Sequence, residues 1–582
     1  MHDLIIQGGT LVDGTGRPAR TGDVAIADGR IVAVGKNLGA ARRTIKADGL
    51  LVTPGWVDIH THYDGQVTWD PLLTPSLWHG VTSVVMGNCG VGFAPAALDR
   101  HEWLIGLMEG VEDIPGASLA AGIRWNWETF PEYLDALSAL PHATDVGAML
   151  THGALRAYVM GERGAKNKPA TADDLARMTT LVRAALEAGA IGVSTSRTKV
   201  HIAIDGEPVP GTFATEEELT AIARGIVQSG RGLLEVANAG VAGEEPGAMA
   251  QEMAWMRNVS LATGCPITFL LVQNNAEPDL WRELLRQTAE ANRAGARITP
   301  QAFGRPTTIL FGLQNCEHPF RFLPSFAPLL EKPLAEQVAA LRDPALRARL
   351  LSEEDPNTTG FSMLYKMPTL WDNTYAMGSP LNYFPSKADS IAAIARQRGC
   401  DPREVAYDRL LERDGHAFLM YAVVGYADGT PQAIYEMITH PLTIVGGSDA
   451  GAHCRIICDA GLPTFTLTEW VRDADPKYRL TLEQAVKRLT HDTARLFGMQ
   501  DRGTLEAGMR ADLNLIDYAN LASHDPYIVD DLPAGKSRLM QTTSGYEATF
   551  VSGEMVQERG QETGARPGRV IRSCSTQSTG SL

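Results

Sequence analysis

The stretch Val57-Asp58-Ile59-His60-Thr61-His62 decides the fold of this chain. It is a short apolar strand that ends in two histidines, and it follows Pro54-Gly55, where the pattern of the sequence changes. Before this point the sequence reads as short β-strands. After it, apolar runs alternate with longer segments of helical period, which is typical of repeated βα units and a parallel sheet.

Eight strand candidates follow Pro54, and eight is the number that closes a parallel barrel. The sequence therefore predicts an α/β fold, a (β/α)8 TIM-like barrel. Capping-box patterns mark two of the helix starts between the strands, at Thr215 with Glu218 and at Thr481 with Gln484. The predicted barrel strands are Val57–His62, Ser83–Gly87, Asp145–Thr151, Ala190–Thr195, Leu233–Ala237, Pro266–Leu271, Arg297–Gln301 and Thr443–Gly446.

Both ends of the chain are rich in β-strand patterns. The dipeptide Asp28-Gly29 suits the positive φ angles of a tight hairpin. We expect the two ends to pair into one small β-sandwich domain that flanks the barrel. Its predicted strands are Leu4–Gln7, Asp23–Ala27, Arg30–Val34, Asp512–Ile516 and Tyr546–Val551.

These patterns divide the chain into a composite β-sandwich, residues 1–54 and 503–572, and a barrel, residues 55–502. Within the barrel, residues 304–440 are too long for a simple βα connection and predict an inserted lid or subdomain before the last strand. Residues 573–582 read as a polar tail.

Composition narrows the class of function. The chain has 582 residues, 44% apolar and 21% charged, which is typical of a folded globular protein. Lys and Arg number 52 against 68 Asp and Glu, a net charge of −16, which disfavours nucleic acid and anionic membranes as partners. We expect a cytoplasmic protein that acts on a small molecule. Whether identical subunits associate is left open.

Neither targeting nor disulfide signals stand out. No apolar run reaches the roughly 18 residues of a membrane helix, and Met1-His2-Asp3 lacks the basic segment of a signal peptide. The 7 cysteines are an odd number scattered along the chain, so we expect thiols.

His60 and His62 are the first candidates for chemistry. Residues two apart on a strand point to the same face, so both imidazoles would aim into the barrel mouth, where catalytic groups gather. Two converging imidazoles suggest a metal site, although a His-x-His also occurs where imidazoles only satisfy ordinary hydrogen bonds.

Two more candidates follow other predicted strands. Cys89, in Gly87-Asn88-Cys89-Gly90, offers a thiolate for zinc or is an inert buried thiol. Asp449, after the last strand, can bind a divalent ion and move the proton of activated water, or it caps the next turn. Closure of a barrel makes its first and last strands neighbours, which favours the reading as one site.

These residues and their flanks resemble the amidohydrolase superfamily, and within it the branch of N-acyl-D-amino-acid deacylases (D-aminoacylases). The resemblance spans nearly the whole chain. It is carried by the segments 4–14, 52–62, 80–90, 447–449 and 502–513, which include Gly-Asn-Cys-Gly and Gly-Ser-Asp.

The resemblance implies a divalent metal, zinc above all, held by His60, His62, Cys89 and Asp449. The histidines that the family places after the fifth and sixth strands are missing. Glu235 stands near the fifth-strand position as an oxygen ligand, and Gln273 or Asn274 near the sixth as a weaker donor. We therefore expect one well-held ion rather than a symmetric pair.

Four residues are candidates for binding substrate. Arg197 offers a bidentate partner for a substrate carboxylate, or else forms a structural ion pair. His201 follows it in the same region. His152 lines the pocket or is a satisfied core histidine, and His453 hydrogen-bonds substrate or supports the metal ligands.

The predicted function is hydrolysis of amide C–N bonds other than peptide bonds, with metal-activated water and Asp449 as general base and acid. The most similar activity is deacylation of N-acyl-D-amino acids. Two alternatives stay open: a cyclic amide, carbamate or urea hydrolase or a dipeptidase on the same site, and a noncatalytic scaffold that has lost its metal.

Aromatic residues of the inserted segment would shape an apolar pocket for an acyl or aryl group, or belong to a core. They are Phe311, Tyr365, Trp371, Tyr375, Tyr383 and Phe384.

Overall fold

Eight parallel strand segments form the centre of the protein in the computed structural model, which describes residues 1–315, 317–354 and 370–573. Each segment pairs in parallel with the next along the chain. The bridge between Thr61 and Ala450, also parallel, joins the first strand to the loop after the last. This is the strand order of the predicted barrel. The strands are Trp56–Asp58, Val81–Met86, Asp145–Ala148 continuing as Leu150–Thr151, Val193–Ser196, Leu234–Ala237, Ile267–Leu271, Ile298–Phe303 and Ile444–Gly446.

Helices follow the strands. At Thr481 the predicted capping box forms in full, since its hydroxyl accepts from the Gln484 backbone and the Gln484 side chain accepts in return. At Thr215 only the first of these bonds forms, because the Glu218 carboxylate is taken by Arg156 and His152. The helices outside the inserted segment are His101–Glu112, Gly116–Gly122, Phe130–Ser138, His152–Met160, Glu162–Ala165, Ala172–Ala188, Glu216–Ser229, Ala248–Thr263, Leu280–Arg293, Leu462–Leu467, Leu482–Lys487 and Thr493–Leu496, with π-helical turns at Thr468–Arg472 and Arg488–Asp492. The helix Gln432–Thr439 lies at the end of the inserted segment.

Strands from both chain ends share one nine-stranded sheet. The link is the antiparallel pairing of Leu51–Pro54 with Leu513–Ile516. The predicted hairpin is present, with positive φ angles at Asp28 and Gly29. The other strands of this sheet are His2–Leu11, Arg20–Ala27, Arg30–Gly35, Ala41–Lys46, Tyr546–Val551, Glu554–Glu558 and Gln561–Glu562. Two small pairs, Ala522–Ser523 with Thr543–Ser544 and Tyr527–Leu532 with Lys536–Met540, lie between them in the chain.

The inserted segment has its own sheet and core. Strands Thr307–Gly312 and Thr374–Ala376 both pair antiparallel with Phe418–Val424. Helices pack on it around buried residues such as Phe320 and Leu350. These helices are Leu334–Leu341, Pro344–Ser352, Ile391–Arg398 and Pro402–Leu410.

The structure bears on the membrane helices and on the state of the cysteines. Among the described residues, no helix combines the length and apolarity that crossing a bilayer requires. Five cysteines are free thiols, Cys89, Cys265, Cys400, Cys454 and Cys458, whereas Cys316 and Cys574 lie outside the described residues.

The last described residues cross the N-terminal end of the barrel. Val146 donates its N–H to the carbonyl of Arg569 at 2.9 Å, and Ile571 donates to the carbonyl of Val146 at 2.7 Å. Of the predicted polar tail, Ser573 donates to the Gly189 carbonyl, and residues 574–582 lie outside the described part of the chain. The chain end is thus fastened to the barrel as far as residue 573.

Asp145, the first residue of the third barrel strand, joins this end of the barrel to the C-terminal segment. Its fully buried carboxylate accepts from the Arg502 guanidinium at 2.7 Å and from the Arg510 guanidinium at 2.9 Å. The backbone N–H of Arg569 adds a third bond at 2.8 Å. Because both guanidinium groups are also buried, the carboxylate compensates charge that water cannot reach.

We expect Asp145→Ala to lower the free energy of unfolding by about 3–5 kcal/mol, because it removes the shared partner of two buried cations. Urea denaturation followed by circular dichroism measures the change. Asp530→Ala, at an exposed position, is the control and should change stability by no more than about 0.5 kcal/mol. Equal stability of the two variants would contradict this role for Asp145.

Candidate metal centre

The backbone beyond the first barrel strand sets the site. The regular strand ends at Asp58, yet Thr61 donates its N–H to Val85 at 3.0 Å and His62 donates to Ala450 at 2.7 Å. These bonds keep the chain extended between the second strand and the loop after the last. His60 and His62 therefore project to the same side, with ring centroids 5.5 Å apart.

Four predicted side chains converge there. The Nε2 atom of His60 lies 3.3 Å from Asp449 Oδ1 and 3.4 Å from Cys89 Sγ. The Nε2 atom of His62 lies 3.7 Å from the same Asp449 oxygen. Donor atoms of His60, His62 and Cys89 all lie within 4.8 Å of one another. The cluster combines nitrogen, sulfur and oxygen donors from both ends of the strand order.

Glu235, on the fifth strand, lies beside Cys89. Its Oε2 atom accepts the backbone N–H of Cys89 at 3.1 Å. Its Oε1 atom is buried and has no hydrogen-bond partner among the described residues. A buried carboxylate oxygen without a partner is costly unless a cation or a donor compensates it.

The backbone is strained at three of these positions. Cys89, Asp449 and His453 have φ angles of 54°, 49° and 44°, in the left-handed region that non-glycine residues rarely adopt. Such strain persists where the surrounding structure fixes a side chain for a purpose.

Burial and neighbouring charges shift the pKa values of this cluster in opposite directions. Burial lowers the pKa of His60 to about 4. Burial has the same effect on His62, but the carboxylates of Glu112 and Asp449 outweigh it and raise that pKa to about 9. For Asp449, burial favours the neutral acid, yet the hydrogen bond and charge of the imidazoles hold its pKa below the usual range.

Buried acids surround the imidazoles. Burial raises the pKa of Glu235 to about 8, that of Glu112 to about 7, and those of Asp58 and Asp64 to about 6. A divalent cation compensates such an excess of buried negative charge, and the mixture of imidazole, thiol and carboxylate is one that zinc accepts. The residues present therefore fit a divalent metal.

The sixth strand brings no free donor to the cluster. The Gln273 side chain donates to Asp428 at 2.7 Å and accepts from the Ala427 backbone at 3.1 Å. The Oδ1 atom of Asn274 accepts the N–H of Glu277 at 2.6 Å. Both side chains are engaged in fixing loops.

Arg197 holds its own loop. It donates to the carbonyls of Gly211 at 3.2 Å and Ala214 at 2.7 Å, and it lies 3.4 Å from a Glu252 carboxylate oxygen. These are the contacts of the structural ion pair that the sequence left open.

The two candidate histidines near this loop differ. His152 is buried, and its ring nitrogens contact Thr195 at 2.8 Å and Glu218 at 2.9 Å, as in a satisfied core histidine. His201 contacts Ser196 at 2.9 Å, and burial lowers its pKa to about 3, with His62 close enough to contribute. Of the two, His201 is the one that lies by the cluster.

Glu112 and Gln301 contact the cluster, and the sequence did not single them out. Glu112 Oε1 lies 3.2 Å from His62 Nδ1, and its other oxygen lies 3.9 Å from His453. Gln301 Oε1 lies 3.3 Å from His60 Nδ1. Gln301 is the last residue of a predicted barrel strand, and that position could have identified it as a candidate. Glu112 is the last residue of a helix, and no local sequence signal distinguishes it.

The aromatic residues of the inserted segment belong to hydrophobic cores. Phe311, Tyr375 and Tyr383 are buried, and Trp371 and Phe384 are partly buried. Tyr365 lies outside the described residues.

Zinc should stabilise the folded protein, because a cation that binds only the folded state adds its binding free energy to stability. At about 100 times its dissociation constant, Zn²⁺ adds about 2.7 kcal/mol. Chelator-treated protein is melted with and without Zn²⁺. The double variant His60→Ala/His62→Ala is the control and should lose the shift. An equal shift in both proteins would place the bound zinc elsewhere.

Comparison with known proteins identifies relatives over nearly the whole chain. A family model described as "Amidohydrolase family" matches residues 43–557. N-acyl-D-aspartate deacylase of Alcaligenes xylosoxydans xylosoxydans is 28% identical, over 98% of this chain and 95% of the relative. D-aminoacylase of the same organism is 27% identical, over 98% and 97%.

Solved structures of deacylases also superpose on nearly the whole chain. A D-aminoacylase structure superposes with a TM-score of 0.64 at 25% identity, over 98% of this chain and all of that one. That protein is described as having a binuclear metal centre with one-metal activation and second-metal attenuation. N-acyl-D-glutamate deacylase of Bordetella bronchiseptica, with zinc and a phosphonate inhibitor, superposes with a TM-score of 0.62 at 26% identity, over 98% and 100%.

Proposed function

The chain belongs to the amidohydrolase family, as a hydrolase of carbon–nitrogen bonds other than peptide bonds, and from this premise we propose that it deacylates N-acyl-D-amino acids. The observation that carries the proposal is the convergence of His60 and His62 with Asp449 at 3.3 and 3.7 Å. The deacylase relatives cover nearly all of the chain, which supports this substrate class over the other amides of the family.

His60, His62, Cys89, Glu235 and Asp449 would hold one divalent metal, with zinc as the best match to the donors. When bound, it supplies Lewis-acid polarisation of a carbonyl and activation of water. The engagement of the sixth-strand side chains in loop contacts supports a single ion rather than a pair.

Asp449 is the proposed proton carrier. It lies between the two imidazoles, with its side chain 16% exposed, so it can reach both the cluster and the substrate. It takes a proton from the attacking water and delivers it to the leaving nitrogen, as general base and then general acid.

The loop from Arg197 to Ala214 is proposed to bind substrate through His201. Arg197 acts by fixing this loop through the Gly211 and Ala214 carbonyls. His152 supports the same loop, since its ring packs against Gly211, where a side chain would collide with it. His453 is proposed to hydrogen-bond substrate, and the 27% exposure of its side chain supports this role.

The inserted segment, residues 304–440, is proposed to cover one side of the barrel mouth. Asn275, just past the sixth strand, donates to the Val423 carbonyl at 2.9 Å, and Val424 packs in one apolar cluster with Cys89. These contacts bring the insert to the edge of the metal cluster.

Asp449→Asn should lower turnover of an N-acyl-D-amino acid by about 10²–10⁴, because the amide cannot accept the proton. Steady-state kinetics is measured together with zinc content, since the residue is also a proposed ligand. Turnover near the wild-type rate with zinc still bound would contradict the role in proton transfer.

The substrate class is tested with zinc-loaded protein on N-acetyl-D-amino acids, their L-enantiomers, cyclic imides and dipeptides. We expect the N-acetyl-D-amino acids to have the highest kcat/KM and a chelator to abolish the activity. Preference for a cyclic imide or a dipeptide would replace the proposed reaction with the corresponding amide hydrolysis. Turnover of none of them by zinc-loaded protein would favour the noncatalytic scaffold.

A further inference from the structure

Glu112 is a buried carboxylate that the mechanism above does not use. It is 2% exposed and ends the helix His101–Glu112. Among the described residues its ion-pair contacts are to two histidines, His62 and His453, rather than to Lys or Arg. A carboxylate that contacts the outer nitrogen of a metal-binding histidine fixes the tautomer and the orientation of that ring.

The first contact concerns the orientation of His62. Its Nδ1 atom and Glu112 Oε1 lie 3.2 Å apart, both are buried, and neither has a hydrogen-bond partner among the described residues. A small rotation of the ring turns this approach into a hydrogen bond. An N–H at Nδ1 leaves the lone pair at Nε2, the atom that faces Asp449.

His60 shows the same arrangement with a neutral partner. Its Nε2 atom faces Cys89 and Asp449, and its Nδ1 atom lies 3.3 Å from the Gln301 amide oxygen. Both imidazoles thus turn Nε2 inward and Nδ1 toward an oxygen. Only His62 has a carboxylate as that oxygen, and a carboxylate raises the basicity of a metal-binding imidazole more than an amide does.

The second contact concerns the loop after Asp449. The backbone N–H of His453 donates to the carbonyl of Glu112, and the Cys454 thiol donates to the carbonyl of Asp113 at 3.3 Å. Asp449 and His453 both have strained positive φ angles, so this loop needs outside support to keep its shape. The end of one helix therefore holds both the opening strand and the closing loop of the cluster.

We propose that Glu112 is a positioning residue that fixes the Nδ1–H form of His62 and, through it, strengthens binding of the metal. The inference rests on the metal-binding part of the proposed function and on no assumption about substrate. In this role Glu112 contacts the outer nitrogen of His62 and does not bind the metal itself.

The experiment measures the affinity of chelator-treated full-length protein for Zn²⁺ alone, in competition with a chromophoric chelator. Glu112→Ala should weaken binding about 10- to 100-fold, the usual loss when a carboxylate behind a ligand histidine is removed. Glu112→Gln keeps an acceptor oxygen but loses the charge, and should fall between Glu112→Ala and wild type. Its near-identical shape also protects the test against a variant that fails to fold.

A double-mutant cycle separates positioning from direct ligation. In a His62→Ala background, Glu112→Ala should cause little further loss, because its effect passes through the missing imidazole. An equal loss in both backgrounds would overturn the proposal, as would wild-type affinity in folded Glu112→Ala.

Asp512→Asn is the matched control, since it removes a buried carboxylate that pairs with Arg510, at the opposite end of the barrel strands from the cluster. It should lower stability and leave zinc affinity unchanged; a loss of zinc affinity equal to that of Glu112→Gln would overturn the positioning role. If wild-type protein itself binds no zinc, the metal-dependent function fails. If wild type binds zinc and the Glu112 variants bind it equally well, only the positioning role fails.

Discussion

Closure of the parallel barrel is the constraint on which the site depends. The bridge between Thr61 and Ala450 joins strand regions almost 400 residues apart in the chain and brings His60 and His62 to Asp449. Because these groups are buried together, water cannot screen their charges, and each group must be compensated by its neighbours. The pKa values of the cluster show this competition between burial and mutual attraction.

The cluster is asymmetric about the barrel. One side carries imidazoles backed by Gln301 and Glu112, and the other carries Cys89 beside the Glu235 carboxylate. Beyond Glu235, the corresponding side chain of the sixth strand turns to the inserted segment and stabilises a loop instead. The candidate donor groups of the cluster therefore come from the first, second, fifth and last strand regions.

The barrel strands and the residues at their ends were largely predictable from the sequence, because strand ends carry local signals. All eight barrel strands lie where apolar runs predicted them, and the family resemblance is confirmed by the match over residues 43–557. The first strand was predicted to reach His62, but its regular pairing ends at Asp58, since the following residues bond to two different neighbours. The structural ion pair of Arg197 was one of two alternatives that the sequence left open, because its partner Glu252 is distant in the chain. Glu112 was not predicted, because no periodicity connects it to His62.

The fastening of residues 568–573 across the base of the barrel has a consequence for biosynthesis. The Asp145 carboxylate meets Arg502 and Arg510 only after more than 350 further residues have been translated. It meets the backbone N–H of Arg569 only after more than 400. The nascent barrel therefore leaves the ribosome with its base open and two arginines still to come. A truncation just before residue 568 should harm the protein far more than the loss of length implies, because it removes the backbone hydrogen bonds that cover the base of the barrel.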